Sequence, residues 1–139
     1  MEPIKLTYHV EGGDLISAGE ASSKMKMTLK KLDLPQETIR RAAICMYEGK
    51  INMVIHADGG RAGVEIAMDH ITIRMIDSGP GIPDVDQAME EGFSTAGEIA
   101  RDLGFGAGMG LPNMKRYSDE MKIDTTLGVG TTVTMRFNL

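Results

Sequence analysis

From Ile4 to Val10 apolar and polar side chains alternate, the period of a half-buried strand, and the Gly12-Gly13 pair ends the run. Asp14 then caps a predicted helix whose inward stripe is Leu15, Ala18, Ala21, Met25, Leu29 and Leu32, at steps of three and four. Asp33-Leu34-Pro35 breaks the pattern, and Pro35 suits the first turn of a second helix, with Gln36 and Glu37 at its positive end. This helix is predicted to run to about His56, burying Ile39, Ala43, Met46 and Met53, and Ala57 to Gly60 ends it. Gly63 to Met68 and Ile71 to Ile76 read as a hairpin turning at Asp69-His70. Val85 to Glu91 predicts a short helix, residues 110 to 119 another, and Met121 to Thr125 and Thr131 to Phe137 two closing strands. Five strands and three principal helices predict one α+β domain over residues 1–139, a two-layer sandwich with helices on one face of the sheet.

Three polar features interrupt this pattern. Glu48, Asn52 and His56 lie four apart on the second helix and so stack along one of its faces. Such a stripe either faces solvent or points a carboxylate and an amide into a site; His56 suits a helix C-terminus, since zinc would want further His or Cys partners. Asp77 stands where a strand meets the loop Ser78 to Asp84, in which Gly79-Pro80-Gly81 forces a turn; its carboxylate can brace that turn or accept from a ligand amine. The run Gly104 to Asn113 has glycines at 104, 106, 108 and 110 and leads into a helix with Pro112 near its start. A loop of so little bulk can turn its amides inward as an anion cradle, the helix dipole adding to the attraction, or can serve as a hinge. Neither the P-loop nor the dinucleotide fingerprint fits: no Lys-Ser or Lys-Thr follows the glycines, and no strand precedes them. Between, Gly92 to Gly108 has the small, polar composition of a cover over a site.

Composition narrows the classes. At 139 residues a core burying roughly two thirds of the unfolded surface needs no disulfide or metal. The single Cys45, among Ala42, Ala43, Ile44 and Met46, reads as a small buried apolar residue in a reducing, cytoplasmic setting. No apolar run suggests a signal peptide or a membrane span. A net charge of −5, few aromatics and no tryptophan argue against nucleic acid, and Lys24, Lys26, Lys30, Lys31, Arg40 and Arg41 read as solvated helix faces. The twelve methionines fill gaps in an aromatic-poor core.

The order E-x-x-x-N on a helix, D-x-G-x-G after a strand, a pliable cover, G-x-G-x-G opening a helix and G-x-G-T between strands resembles the Bergerat (GHKL) ATP-binding fold. Around DSGPGIPD, AMEEGFSTAG and GFGAGMGLPNMKR the nearest resemblance is to the anti-sigma-factor serine/threonine switch kinases. That resemblance implies a mixed, mostly antiparallel sheet and Mg-ATP as ligand. It implies that Asn52 ligates Mg²⁺, that Glu48 takes the proton from the attacking hydroxyl, and that Asp77 accepts from the adenine amine. Gly79, Gly81, Ile82 and Thr131 would line the base end, and Gly106, Gly108, Met109, Gly110 and Leu111 the phosphate end. The implied activity is phosphorylation of a small STAS-type antagonist protein in a partner-switching circuit, with a sigma factor or phosphatase as further partner and a homodimer compatible. The competing reading is an ATP-gated binding module with little phosphoryl transfer. Arg101 in the cover is either a solvent-exposed charge or a contact to a terminal phosphate, and Lys50 is expected to point away from Asn52 because i and i+2 do not share a helix face.

Overall fold

The computed structural model describes residues 2–11, 18–57, 59–90 and 110–139. Asp14, Leu15, Phe93, Arg101, Gly106, Gly108, Met109 and the whole predicted cover lie outside the described residues. The elements in chain order are β1 (Ile4–Glu11), α1 (Ala18–Lys31), α2 (Gln36–His56), β2 (Gly59–Ile66), β3 (His70–Asp77), α3 (Val85–Ala88), α4 (Gly110–Tyr117), β4 (Glu120–Thr126) and β5 (Gly130–Asn138). The strands form one sheet in the order β1-β2-β3-β5-β4. All four neighbouring pairs are antiparallel, so the described sheet has no parallel pair where a mixed one was expected.

Alternation decides which face of the sheet carries the helices. Val64, Ile73, Met75, Val133, Met135 and Phe137 are buried against α1, α2 and α4, joined from β4 by Met121 and Ile123. The intervening positions are mostly polar, Ile76 apart, with surface ion pairs such as Glu65 to Arg74 at 3.8 Å contributing little. The hairpin β2–β3 begins earlier than its apolar pattern suggests, at Gly59. The reason is tertiary: β1 runs on to Glu11 and supplies pairing partners for Gly59 to Ala62.

The end of α1 corrects one expectation. Leu32 is 39% exposed and does not belong to the inward stripe that Met25 and Leu29 form. Asp33 turns left-handed at φ 55, the Leu34 amide donates back to Leu29 O and the Asp33 amide to Lys30 O. These are the paired bonds of a Schellman motif, in which the residue after the turn, here Leu34, packs down in place of Leu32. The next helix, α2, begins after Pro35 and ends at His56, within the bounds read from the sequence. No helix among the described residues is long and apolar enough to cross a membrane.

Candidate functional site

Two helices make the first half of the site. Along α2 and α4, running antiparallel, four rungs join the facing sides: Arg41 Nη1 donates to Tyr117 O at 3.2 Å, Cys45 Sγ to Met114 O at 3.6 Å, and Asn113 Nδ2 to Glu48 Oε1 at 3.4 Å. The fourth is a contact, since a Cβ placed on Gly110 would lie 3.3 Å from Asn52 Oδ1. Helical spacing on α2 produces this ladder, as residues 41, 45, 48 and 52 share one face. Glu48 and Asn52 are thus half-buried beside the first turn of α4. That turn contributes amide groups without intrahelical partners and the positive end of a helix dipole. Pro112 sits in it, where a missing N–H costs nothing.

The second half lies at one end of the sheet. Asp77 closes β3 and its Oδ1 accepts two backbone amides, Gly79 N at 2.9 Å and Thr131 N at 3.1 Å. The carboxylate therefore does brace the turn, yet both bonds fall on one oxygen and leave Oδ2 as an acceptor. Gly81, at φ 81, brings the loop against the β4–β5 turn so closely that a Cβ there would meet Thr126 O at 2.7 Å. Ile82 N donates to Thr125 Oγ1 at 2.9 Å, and that hydroxyl is 2.9 Å from Thr131 Oγ1. Asp77, Thr131 and Thr125 are register partners across β3, β5 and β4, in one row on the helix-bearing face.

The two halves meet where α2 ends. A Cβ on Gly79 would sit 2.6 Å from Ala57 Cβ, so the loop after β3 rests on the residue that follows α2. Asn52 lies about 7.5 Å back along the same axis at 1.5 Å per residue. At the end of α2 an open hollow of about 690 Å³ is lined by Val54, His56, Ala57, Ser78, Pro80 and Gly128 among others. Its walls are the last turn of α2, the loop after β3 and the β4–β5 turn; Glu48, Asn52, Asp77 and α4 do not line it. Burial holds His56 below the ordinary histidine range, so it is neutral at pH 7. Ile82 packs against the core and Leu111 is buried on α4, while Gly106, Gly108 and Met109 fall outside the described residues.

Lys50 does point away from Asn52, but into the protein. It is 1% exposed, with Nζ 5.9 Å from the centre of the Tyr8 ring on β1. Two residues escaped the sequence reading. Asn113 is one polar residue in a short helix, recognisable only once α4 is set against α2; Thr125 follows Met121 and Ile123 at the alternation of an inward face, which did signal it.

No group of three His, Cys, Asp or Glu side chains among the described residues could hold a metal ion. The donor set at Asn52, an amide oxygen beside a carboxylate at Glu48, suits a hard cation that takes its remaining ligands from phosphate and water. It suits neither zinc nor a thiolate-bound metal.

Comparison with known proteins gives the family of the chain. Residues 39–139 match the family described as histidine kinase-, DNA gyrase B-, and HSP90-like ATPase. The chain is 39% identical over 92 residues to the serine/threonine-protein kinase RsbT of Bacillus subtilis, covering 65% of this chain and 58% of that protein. It is 36% identical over 110 residues to the anti-sigma F factor of Caldanaerobacter subterraneus subsp. tengcongensis, covering 76% and 73%. It is 30% identical over 128 residues to that of Clostridium beijerinckii, covering 86% of each. The chain thus spans a little over half the length of the first of these relatives.

Proposed function

Because this chain belongs to the family of histidine kinase-, DNA gyrase B- and HSP90-like ATPases, we propose that it is a Mg-ATP-dependent protein serine/threonine kinase of the anti-sigma-factor type. Its substrate in this reading is a small STAS-type antagonist protein in a partner-switching circuit, with a sigma factor or phosphatase as further partner. The adenine amine donates to Asp77 Oδ2, and Gly79, Gly81 and Ile82 let the base lie flat against the loop. The phosphates run toward Gly110, Leu111 and the first turn of α4, with Gly106, Gly108 and Met109 preceding it. Asn52 is the residue to hold Mg²⁺, which when bound neutralises phosphate charge and orients the terminal phosphoryl group.

The observation that carries catalysis is the bond from Asn113 to Glu48. It fixes one carboxylate oxygen and leaves the other to take a proton, next to the helix end where the phosphates would lie. The substrate hydroxyl oxygen forms a bond to the γ-phosphorus while the bond from that phosphorus to the β–γ bridging oxygen breaks. ADP departs with the electron pair, and the hydroxyl proton passes to Glu48. A nucleotide sensor has no chemical need for such a base.

The second reading, an ATP-gated binding module with little transfer, draws on the relatives named as anti-sigma F factors, since that name describes binding. Incubation with γ-labelled ATP and a panel of STAS-type antagonist proteins separates the two. We expect label on a serine or threonine of the antagonist, reduced about 10²- to 10⁴-fold in Glu48→Gln at saturating Mg-ATP. Undiminished labelling in that variant would remove Glu48 as the base; absence of labelling despite tight ATP binding would favour the gated module. Asn52→Ala should abolish the Mg²⁺ dependence of ATP binding, read by titration with and without the cation.

A further inference from the structure

We propose that Gly49 is a positioning residue: by carrying no side chain where α2 presses on the sheet, it sets the depth at which Glu48 and Asn52 stand against α4. This role rests on the reading of Glu48 as the base and Asn52 as the residue that holds Mg²⁺.

Gly49 is the only glycine in the 21 residues of α2, and it is buried. Helix propensity favours alanine at such a position, so the missing side chain needs a reason. A Cβ built on Gly49 would lie 2.8 Å from Met75 Cγ, 2.9 Å from Cε and 3.2 Å from Sδ. Met75 stands on β3 in the middle of the sheet, 2% exposed, with Ala62 and Val133 as its register partners on β2 and β5. Its Cγ is one bond from the Cβ that the strand fixes, so only a turn at χ1 through close-packed neighbours would clear it. The alternative is that α2 lifts.

Helix geometry turns such a lift into a displacement at the site. Gly49 projects down onto the sheet, whereas Glu48 and Asn52 project sideways to α4. Restoring an ordinary carbon contact of about 3.5 to 4.0 Å would raise α2 by about 1 Å at this point. Both side chains would then slide past α4 rather than away from it. The bond from Asn113 Nδ2 to Glu48 Oε1 is already 3.4 Å long and has no slack for the shift. Asn52 would likewise leave its place beside Gly110. A reacting group misplaced by about 1 Å can lose about 10²-fold in rate.

Variants of the intact chain test this with γ-labelled ATP and an antagonist that the wild type labels. Gly49→Ala should lower kcat about 10- to 100-fold, with the protein folded by circular dichroism and the KM for the antagonist unchanged. Adding Met75→Val moves one heavy atom of side chain from β3 to α2 and keeps the total, so most of the lost rate should return. Gly63→Ala, where a Cβ meets nothing within 4 Å, should leave kcat as it is. Should Gly49→Ala not fold, Met75→Leu crowds the same contact from the sheet side, by branching at the carbon nearest Gly49, and should lower kcat likewise. An undiminished kcat in the folded variant would overturn the role of Gly49 while leaving Glu48 standing as the base, and so would a loss that Met75→Val does not relieve. A wild type that transfers no phosphate would instead sink the kinase reading. The seating of α2 is then read at Cys45, whose thiol meets Met114 O at 3.6 Å on the α4 side of the same helix. Its labelling by a thiol reagent should quicken in Gly49→Ala and slow again in the double variant, and equal rates in all three proteins would overturn the proposal.

Discussion

A lysine buried to 1% of its surface is unusual, and Lys50 occupies the inward stripe of α2, four residues after Met46 and three before Met53. Desolvation lowers its pKa from the ordinary 10.5 to about 8, the Tyr8 ring giving the cation only partial compensation. The folded chain therefore binds fewer protons there than the unfolded chain between pH 8 and 10.5, so stability must rise with pH as the folded lysine loses its proton. Tyr8 is pushed up from 10 by its own burial and so titrates above the range that isolates this effect. Urea denaturation at pH 7 and pH 9, in a Cys45→Ala background because the unfolded thiol loses its proton in this window while the buried one keeps it, should find the protein more stable at the higher pH, and the difference should vanish when Lys50→Met is added. At pH 7 that substitution should itself stabilise by about 1 kcal/mol. A loss of stability there would mean that the ring contact outweighs the desolvation.

At the scale of elements, two turns set where the working parts stand. The left-handed Asp33 that ends α1 is a conformation glycine adopts without strain. Asp33→Gly should accordingly stabilise the fold by about 0.5 to 1 kcal/mol, read as a higher urea midpoint at unchanged m. Gly130 is the opposite case. At φ 150 its missing Cβ leaves room for Asp77 O, which a Cβ would approach to 2.2 Å. Gly130→Ala should therefore cost about 3 kcal/mol and weaken ATP binding, because β5 cannot then lie against the end of β3. Much of this layer was legible. The limits of α2, the hairpin and both closing strands follow from periodicity and from Pro35, Asp69 and Leu127 to Gly130. What the sequence could not reveal depended on partners distant in the chain: β2 reaches back to Gly59 because β1 is there to pair with it, and Leu32 gives up its place to Leu34. The site was legible in the same uneven way. Glu48, Asn52 and Asp77 stand out as polar residues at ordered spacings, and Thr125 stands at the inward alternation of β4, whereas Asn113 gains meaning only from α2 beside α4.

Across the whole molecule, α2 is the element that every other layer touches. It packs on the sheet, on α1 and on α4, and Cys45 at its centre is fully buried with its thiol pushed up to about 12 by desolvation. A thiolate-directed reagent should thus modify Cys45 only through global opening, and its rate in urea should track the unfolding curve. Rapid labelling of the native protein would mean that α4 detaches by itself.

The four rungs between α2 and α4 also bind the fate of chemistry to that of the core. A helix has no means of turning one side without turning the other, and successive residues are about 100° apart around the axis. Any repacking at Ala42, Met46 or Met53 that rolled α2 by a fraction of that angle would sweep Glu48 and Asn52 sideways past Gly110. Changes to the oily interior of this protein should consequently announce themselves as altered handling of phosphate before they register as a loss of fold.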